Sequence, residues 1–235
     1  MKLQRIEDIL SEHTYPGRGI LLGRSADNRK AVLAYFIMGR SENSRNRVFE
    51  KTEDGIRTRA YDESKMTDPS LIIYHPVRMV SRGLIVTNGD QTDTIRDAIL
   101  AGRTVSSALR TRCFEPDPPN YTPRISGLLS PDGSYKLSIL KSADGNPDCN
   151  HRFFYEYDNP LAGEGHFIHT YQENLDPLPS FEGEPRRVVC DEPNAAAFAE
   201  LLWKYLNEEN KVSLYVRYTD LSDGSPDEVI INKHI

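Results

Sequence analysis

Apolar residues at Leu3, Ile6, Ile9 and Leu10 repeat with helical spacing and predict a short N-terminal helix that ends near Tyr15-Pro16-Gly17. Gly19–Leu22 and Ala31–Met38 are apolar runs parted by the polar turn residues 25–30, the pattern of a hairpin. From Gly39 to Pro69 the chain is highly charged and shows almost no apolar period, so it reads as one long loop. Strands are expected at Leu71–Tyr74, Val77–Val80 and Leu84–Val86. A helix capped by Thr92 or Asp93 follows and carries Ile95, Ala98, Ile99 and Leu100; it breaks at Gly102 and resumes over Val105–Arg112. Four prolines (Pro116, Pro118, Pro119, Pro123) impose a loop. Further strands are predicted at Arg124–Leu129, Tyr135–Leu140, Arg152–Tyr157 and His166–Tyr171. The clearest helix spans Asn194–Leu206, and a last hairpin joins Val212–Tyr218 to Val229–Ile231.

Strands and helices come in blocks and do not alternate one for one, which disfavours a doubly wound parallel sheet. Two antiparallel sheets stacked face to face with helices on the outer faces fit better. We expect one α+β domain over residues 1–235. The 235 residues are only 38% apolar, but 12 Tyr and 8 Phe supply enough core-forming mass to argue against wholesale disorder.

Charge and cysteine usage narrow the function. A net charge of −6 argues against broad nucleic-acid binding, because the phosphate backbone rewards a positive surface. No stretch is long and apolar enough for a membrane helix, and the first residues lead into an acidic amphipathic segment instead of a secretory apolar core. A cytoplasmic location is the expectation, with no membrane or nucleic-acid partner and with homo-oligomerisation left open. Cys113, Cys149 and Cys190 form no C-x-x-C, and the six His are scattered; His166 and His169 would fall on opposite faces of one strand. No metal site is expected, and no phosphate-binding or dinucleotide-binding glycine motif is present.

The densest set of cationic donors is Arg40, Arg45 and Arg47, directly after an apolar strand. Guanidinium forks suit phosphate or carboxylate, although the same residues would serve as a solvated loop. Tyr74 precedes His75-Pro76, with Arg78 four residues on; a neighbouring guanidinium would lower its pKa and equip it for proton transfer, while the plain alternative is a core tyrosine. The turn Thr87-Asn88-Gly89-Asp90 leads into a helix and would suit an amide or base edge better than an anion. Glu115 and Asp117 lie in the stiff proline-rich loop, where a carboxylate can be held for acid–base work.

Taken together, Tyr15-Pro16-Gly17-Arg18-Gly19-Ile20, Gly39-Arg40-Ser41 with Asn46-Arg47, Thr87-Asn88-Gly89 with Thr92-Asp93-Thr94-Ile95, and Thr122-Pro123-Arg124-Ile125 follow one another in a familiar order. The chain resembles the archaeal-type inosine monophosphate (IMP) cyclohydrolases, best from about Gly17 to Ile125. The resemblance implies a four-layered αββα sandwich like that of the N-terminal-nucleophile hydrolases. It implies an enzyme that closes a formamido-imidazole-carboxamide ribonucleotide to IMP with loss of water, without cofactor or metal. Met1 followed by Lys2 offers no N-terminal nucleophile, which suits a ring closure that needs no covalent intermediate.

Carried over by motif, Arg47, Tyr74 and Glu115 are the catalytic candidates, with Arg45 an alternative to Arg47 and Asp117 an alternative to Glu115. Arg18, Arg40, Arg45 and Arg124 are the candidates for binding substrate charge, and Asn88 and Asp93 for its base or carboxamide edge. Two other readings stand beside this one: a purine-nucleotide-binding protein without turnover, and an amide hydrolase on the same fold using Cys113.

Overall fold

The computed structural model describes residues 2–234. Helix α1 (Ile6–Glu12) precedes a hairpin of β1 (Arg18–Arg24) and β2 (Lys30–Met38). The stretch expected to be a loop is instead ordered. A single turn, α2 (Glu42–Arg45), leads into a second hairpin, β3 (Arg47–Thr52) and β4 (Gly55–Ala60). The reason lies in β4, where Ile56, Thr58 and Ala60 are buried and Arg57 and Arg59 are exposed. This is a period of two carried by charged residues on the strand next to the sheet's edge strand β3. Glu53-Asp54 makes the turn, and Gly55, at φ +152°, opens β4 opposite Thr52.

Leu71–Tyr74 is not a strand. Ile72 N and Ile73 N both bond Pro69 O, and Thr58 Oγ1 accepts from Tyr74 N, so this segment's backbone groups are satisfied by turns and a side chain. Strands β5 (Val77–Val80) and β6 (Gly83–Thr87) follow, then α3 (Gln91–Leu100) and α4 (Val105–Leu109). Neither Thr92 nor Asp93 caps α3; the helix begins two residues before a Thr92 cap would start it, with Asp90 at the N-cap position. Beyond the proline loop come β7 (Arg124–Leu129), β8 (Tyr135–Ala143), β9 (Asn146–Tyr157), β10 (Glu164–His169) and β11 (Arg186–Val189). The chain closes with α5 (Ala195–Tyr205), β12 (Lys211–Asp220) and β13 (Pro226–Asn232). Asn194 caps α5 through a 2.9 Å bond to Ala197 N.

The strands form two antiparallel sheets, ordered β11-β10-β1-β2-β12-β13 and β3-β4-β5-β6-β7-β8-β9. Their facing surfaces enclose one apolar cluster that includes Ile20, Leu33, Ile37, Phe49, Val86, Ile125 and Leu137. A second cluster lies between the first sheet and helices α1 and α5, through Ile9, Phe198 and Leu202. A third, with Ile85, Ile95, Ile99 and Leu109, joins the second sheet to α3 and α4. The architecture is thus α+β, with two stacked antiparallel sheets and helices outside each. Alternation along β10 puts His166 and His169 on opposite faces. His166 stacks on Tyr157 at 3.8 Å, while His169 meets His13 at 5.2 Å. No helix among the described residues is long and apolar enough to cross a membrane.

The stacking brings strand ends from distant parts of the chain to one rim. β1 begins opposite the ends of β2 and β10, and β7 begins opposite the end of β6.

Candidate active site

Six segments deliver polar side chains to that rim. Arg18 starts β1, Tyr35 lies on β2, Arg47 starts β3, Tyr74 precedes β5, Glu115 follows α4, and Arg124 starts β7. All are buried: Arg47 and Tyr35 are wholly inaccessible, and Glu115 is 2% exposed. Buried charges are normally paired or hydrogen-bonded, because desolvation of an isolated ion costs several kcal/mol. Here Arg18 Nε, Arg47 Nη1, Glu115 Oε1 and Arg124 Nε have no hydrogen-bond partner among the described residues. Donors of one charge and an acceptor of the other, held at one place and left unsatisfied, make a ready site for a polar anionic ligand.

Local structure fixes each of them. Arg47 Nε donates to Ser44 O at 2.8 Å and Nη2 reaches Met38 O at 3.5 Å, which leaves Nη1 as the free arm of the fork. Tyr74 is held by its backbone to Thr58 and by its hydroxyl, 2.8 Å from that of Tyr35. Glu115 N donates to Thr122 O at 2.9 Å, tying the proline loop to the start of β7. Arg124 Nη1 donates to Gln91 Oε1 at 2.7 Å and to Asp90 at 2.8 Å. Gly89 leaves room for these side-chain ends. A Cβ there would stand 2.5 Å from Arg124 Nη1, 2.7 Å from Gln91 Oε1 and 3.4 Å from Glu115 Oε1. The other side of the site is aromatic: Tyr15 stacks on Tyr171 at 5.8 Å, and the Tyr171 hydroxyl is 2.6 Å from Thr122 Oγ1.

The protonation balance is set by burial against this charge. Burial pushes the Glu115 carboxyl up to about 7, with Arg18, Arg124 and Arg47 pulling it down and Asp117 pushing it up. Burial and Arg18 both lower the pKa of Arg47. Burial also opposes the charge on Arg18, but Glu115 and the phenols of Tyr171, Tyr15 and Tyr74 more than offset it. The lowering expected for Tyr74 does not occur. Burial raises it, and the guanidiniums that oppose burial are those of Arg47 and Arg18. Arg78 is engaged instead with Asp54 and Asp93, at 2.7 Å each.

A family model described as IMP cyclohydrolase-like protein matches residues 15–224 of this sequence. The chain belongs to that family. It is 28% identical over 189 residues to an IMP cyclohydrolase of Methanopyrus kandleri, covering 72% of this chain and 89% of the relative. It is 30% identical over 125 residues to an IMP cyclohydrolase of Methanococcus aeolicus, covering 52% of this chain and 61% of the relative. A third IMP cyclohydrolase, from Halobacterium salinarum, is 29% identical over 133 residues, covering 54% and 63% respectively.

Within this IMP cyclohydrolase-like chain, the residues singled out from sequence divide sharply. Arg18, Arg47, Tyr74, Glu115 and Arg124 converge. Arg45 does not join them: its Nε donates to Gly39 O at 2.9 Å and its Nη2 to Asn210 Oδ1 at 3.1 Å. Arg40 lies over the Tyr15 ring at 5.3 Å and donates to Leu175 O at 3.0 Å, a contact at the margin of the site. Asp117 is consumed by Thr122, whose N and Oγ1 donate to it at 2.7 and 2.5 Å. Asn88 is buried, but its amide is spent on Pro123 O and Ile125 N, both at 2.8 Å, so it clamps the walls together and presents no free edge. Asp93 stands outside the site, accepting from Arg78 at 2.7 Å and Arg96 at 3.1 Å. Cys113 is exposed and has no hydrogen-bonded base among the described residues.

Sequence reasoning passed over Tyr35, Gln91 and Tyr171. Only Tyr35 carried a usable signal, as a hydroxyl inside the otherwise apolar run Ala31–Met38. A cavity of about 430 Å³ opens between the tip of the β8–β9 hairpin and residues 172–182 and shares no lining residue with the cluster. The unpaired buried donors and acceptor are the more specific mark of a reacting site.

Proposed function

We propose that this chain is an IMP cyclohydrolase, closing 5-formamidoimidazole-4-carboxamide ribonucleotide to IMP with loss of water. The observation that carries the reading is the buried set of Arg47 Nη1, Tyr74 Oη and Glu115 Oε1, each with capacity to spare for a ligand. The stacked sheets and flanking helices support assignment to the four-layered, N-terminal-nucleophile-hydrolase-like sandwich. Met1, where such hydrolases keep their nucleophile, lies outside the described residues. A cytoplasmic setting fits the substrate.

The chemistry uses these groups economically. The carboxamide nitrogen is a poor nucleophile and attacks a formyl carbon of the same molecule, so holding that rotamer supplies up to about 7–11 kcal/mol of the acceleration. Arg47 Nη1 donates to the formyl oxygen as charge develops there. Glu115, poised near neutrality, takes a proton from the carboxamide nitrogen. Tyr74, kept protonated by its raised pKa, delivers its own proton to the formyl oxygen. The carbinolamine hydroxyl then leaves as water with the proton held by Glu115, and the former formamide nitrogen returns a proton to Tyr74. Every proton is accounted for, and neither redox chemistry nor a covalent enzyme adduct is needed. Arg18 and Arg124 bind the substrate phosphate.

The test is direct: full-length protein incubated with the formamido nucleotide should form IMP, followed by the change in ultraviolet absorbance or by chromatography. IMP-induced thermal stabilisation with no product would select the non-catalytic alternative. Gly89→Ala checks the phosphate end. The new methyl meets the far ends of the Arg124 and Gln91 side chains and no backbone, so the fold should survive with the melting temperature lowered by a few degrees at most. KM should rise about tenfold or more, the equivalent of weakening one charge-assisted hydrogen bond.

A further inference from the structure

The Tyr74 hydroxyl has a single hydrogen-bond partner among the described residues, and that partner is another phenol, Tyr35 Oη at 2.8 Å. Tyr35 takes no other part in the reaction described above. It sits in the middle of β2, aligned with Ile20 on β1 and Tyr215 on β12, and stacks on Phe49 at 5.7 Å. Its accessibility is zero, against 7% for Tyr74. Packed on both sides and paired through two ladders, its ring has no freedom to turn away.

Each phenol has one proton, so in a pair one donates and the other accepts. If Tyr74 were the donor, the Tyr35 proton would be left with no acceptor in a sealed interior, the costly arrangement for a buried hydroxyl. If Tyr35 donates, its proton is satisfied and the Tyr74 proton is freed for the side of the site where a ligand binds. The surrounding charges agree. Tyr74 faces Arg47 from β3, Arg18 from β1, Tyr35 from β2 and Glu115 from the loop after α4. Burial raises both phenols and the two guanidiniums pull both down, but the hydrogen bond between them lowers Tyr74 and raises Tyr35, which stands well above the ordinary phenol range. Tyr35 is therefore the member that keeps its proton.

We propose that Tyr35 is a positioning residue for the ring closure, donating to Tyr74 Oη so that the Tyr74 proton is aimed at the substrate's formyl oxygen and the resulting phenolate is held by a fixed donor. The inference rests on the proton-donor role given to Tyr74. In the step itself the Tyr74 O–H bond breaks, the formyl oxygen gains that proton, and the Tyr35 O–H stays intact while its hydrogen bond shortens onto the anion.

The experiment compares Tyr35→Phe, Tyr74→Phe and the double variant in the full chain, with kcat, KM and the pH profile of kcat measured for each. Tyr35→Phe should lower kcat about tenfold with KM changed less than about twofold, within the usual span of a lost proton-positioning contact. Its alkaline limb, where Tyr74 loses its proton, should move to higher pH, because the anion has lost a donor. The double variant should be no slower than Tyr74→Phe, since Tyr35 then has no oxygen to act on. 3-Fluorotyrosine placed at position 35 strengthens the donor and preserves the packing. It should move the same limb to lower pH, and it keeps the proposal open to test should Tyr35→Phe fold poorly. An unmoved limb in both variants, or multiplicative losses in the double variant, overturns the role of Tyr35 and leaves that of Tyr74 standing. Wild-type turnover in Tyr74→Phe removes both.

Discussion

Replacing Glu115 with Gln should cost at least about a hundredfold in kcat, the lower range for loss of a general base, while making the protein harder to unfold at neutral pH. The two effects have one cause. A carboxyl that titrates at about 7 in the folded chain titrates near 4.5 when unfolded. Between those values the folded state binds the extra proton, so stability falls as pH rises through that window. Below pH 4.5 both states are protonated and the penalty vanishes; above pH 7 it is complete. The shift corresponds to about 3 kcal/mol at most, an order-of-magnitude figure. Denaturant melts of wild type and Glu115→Gln across pH 4.5–8 should diverge as pH rises, with the variant more stable. Parallel melts would mean that the carboxyl is not held in a desolvated site. In activity, the wild-type acid limb should centre near pH 7 and vanish from the residual rate of the variant.

Arg47→Ala should produce a comparable loss, about 10²–10³ in kcat, the range measured when one donor to a developing oxyanion is removed. Arg47→Lys should not restore it, because the ammonium lacks the planar fork that bonds Ser44 O and Met38 O while leaving Nη1 free. The alanine variant opens a guanidinium-shaped space beside the reacting oxygen. Millimolar guanidinium should therefore recover part of the rate, and ammonium at the same concentration should recover less. Rescue separates a lost donor from a damaged fold, because a merely misfolded variant gains nothing from the ion. Equal rescue by both ions would point to bulk charge instead of a directed hydrogen bond.

The legible part of this protein was the part written locally. The β1–β2 hairpin, helix α5 and the closing β12–β13 hairpin follow from alternation, caps and turns within single segments. The hairpin of β3 and β4 escaped because its outward positions are Arg57, Arg59 and Lys51, so the apolar signal fell to a few residues; the Asp54-Gly55 pair where the turn meets β4 was the missed clue. At the site, the motif residues Arg18, Arg47, Tyr74, Glu115 and Arg124 could be named from sequence because each lies in a recognisable segment. What distinguishes Arg47 from Arg45 is not written there. It depends on Gly39 and Asn210 capturing one guanidinium while two carbonyls turn the other inward. The same holds for Glu115 over Asp117, a choice made by Thr122 seven residues from one and five from the other. The pairing of Tyr35 with Tyr74 arises only when the two sheets stack, so no local pattern could encode it.

The most direct measurement of the whole account is a crystal structure of the protein soaked with IMP. The base should lie within hydrogen-bond distance of Arg47 Nη1, Tyr74 Oη and Glu115 Oε1, with the phosphate on Arg18 and Arg124. Nucleotide bound instead in the cavity beside Lys141 and Ser180, with the Arg47 fork and Glu115 untouched, would contradict it.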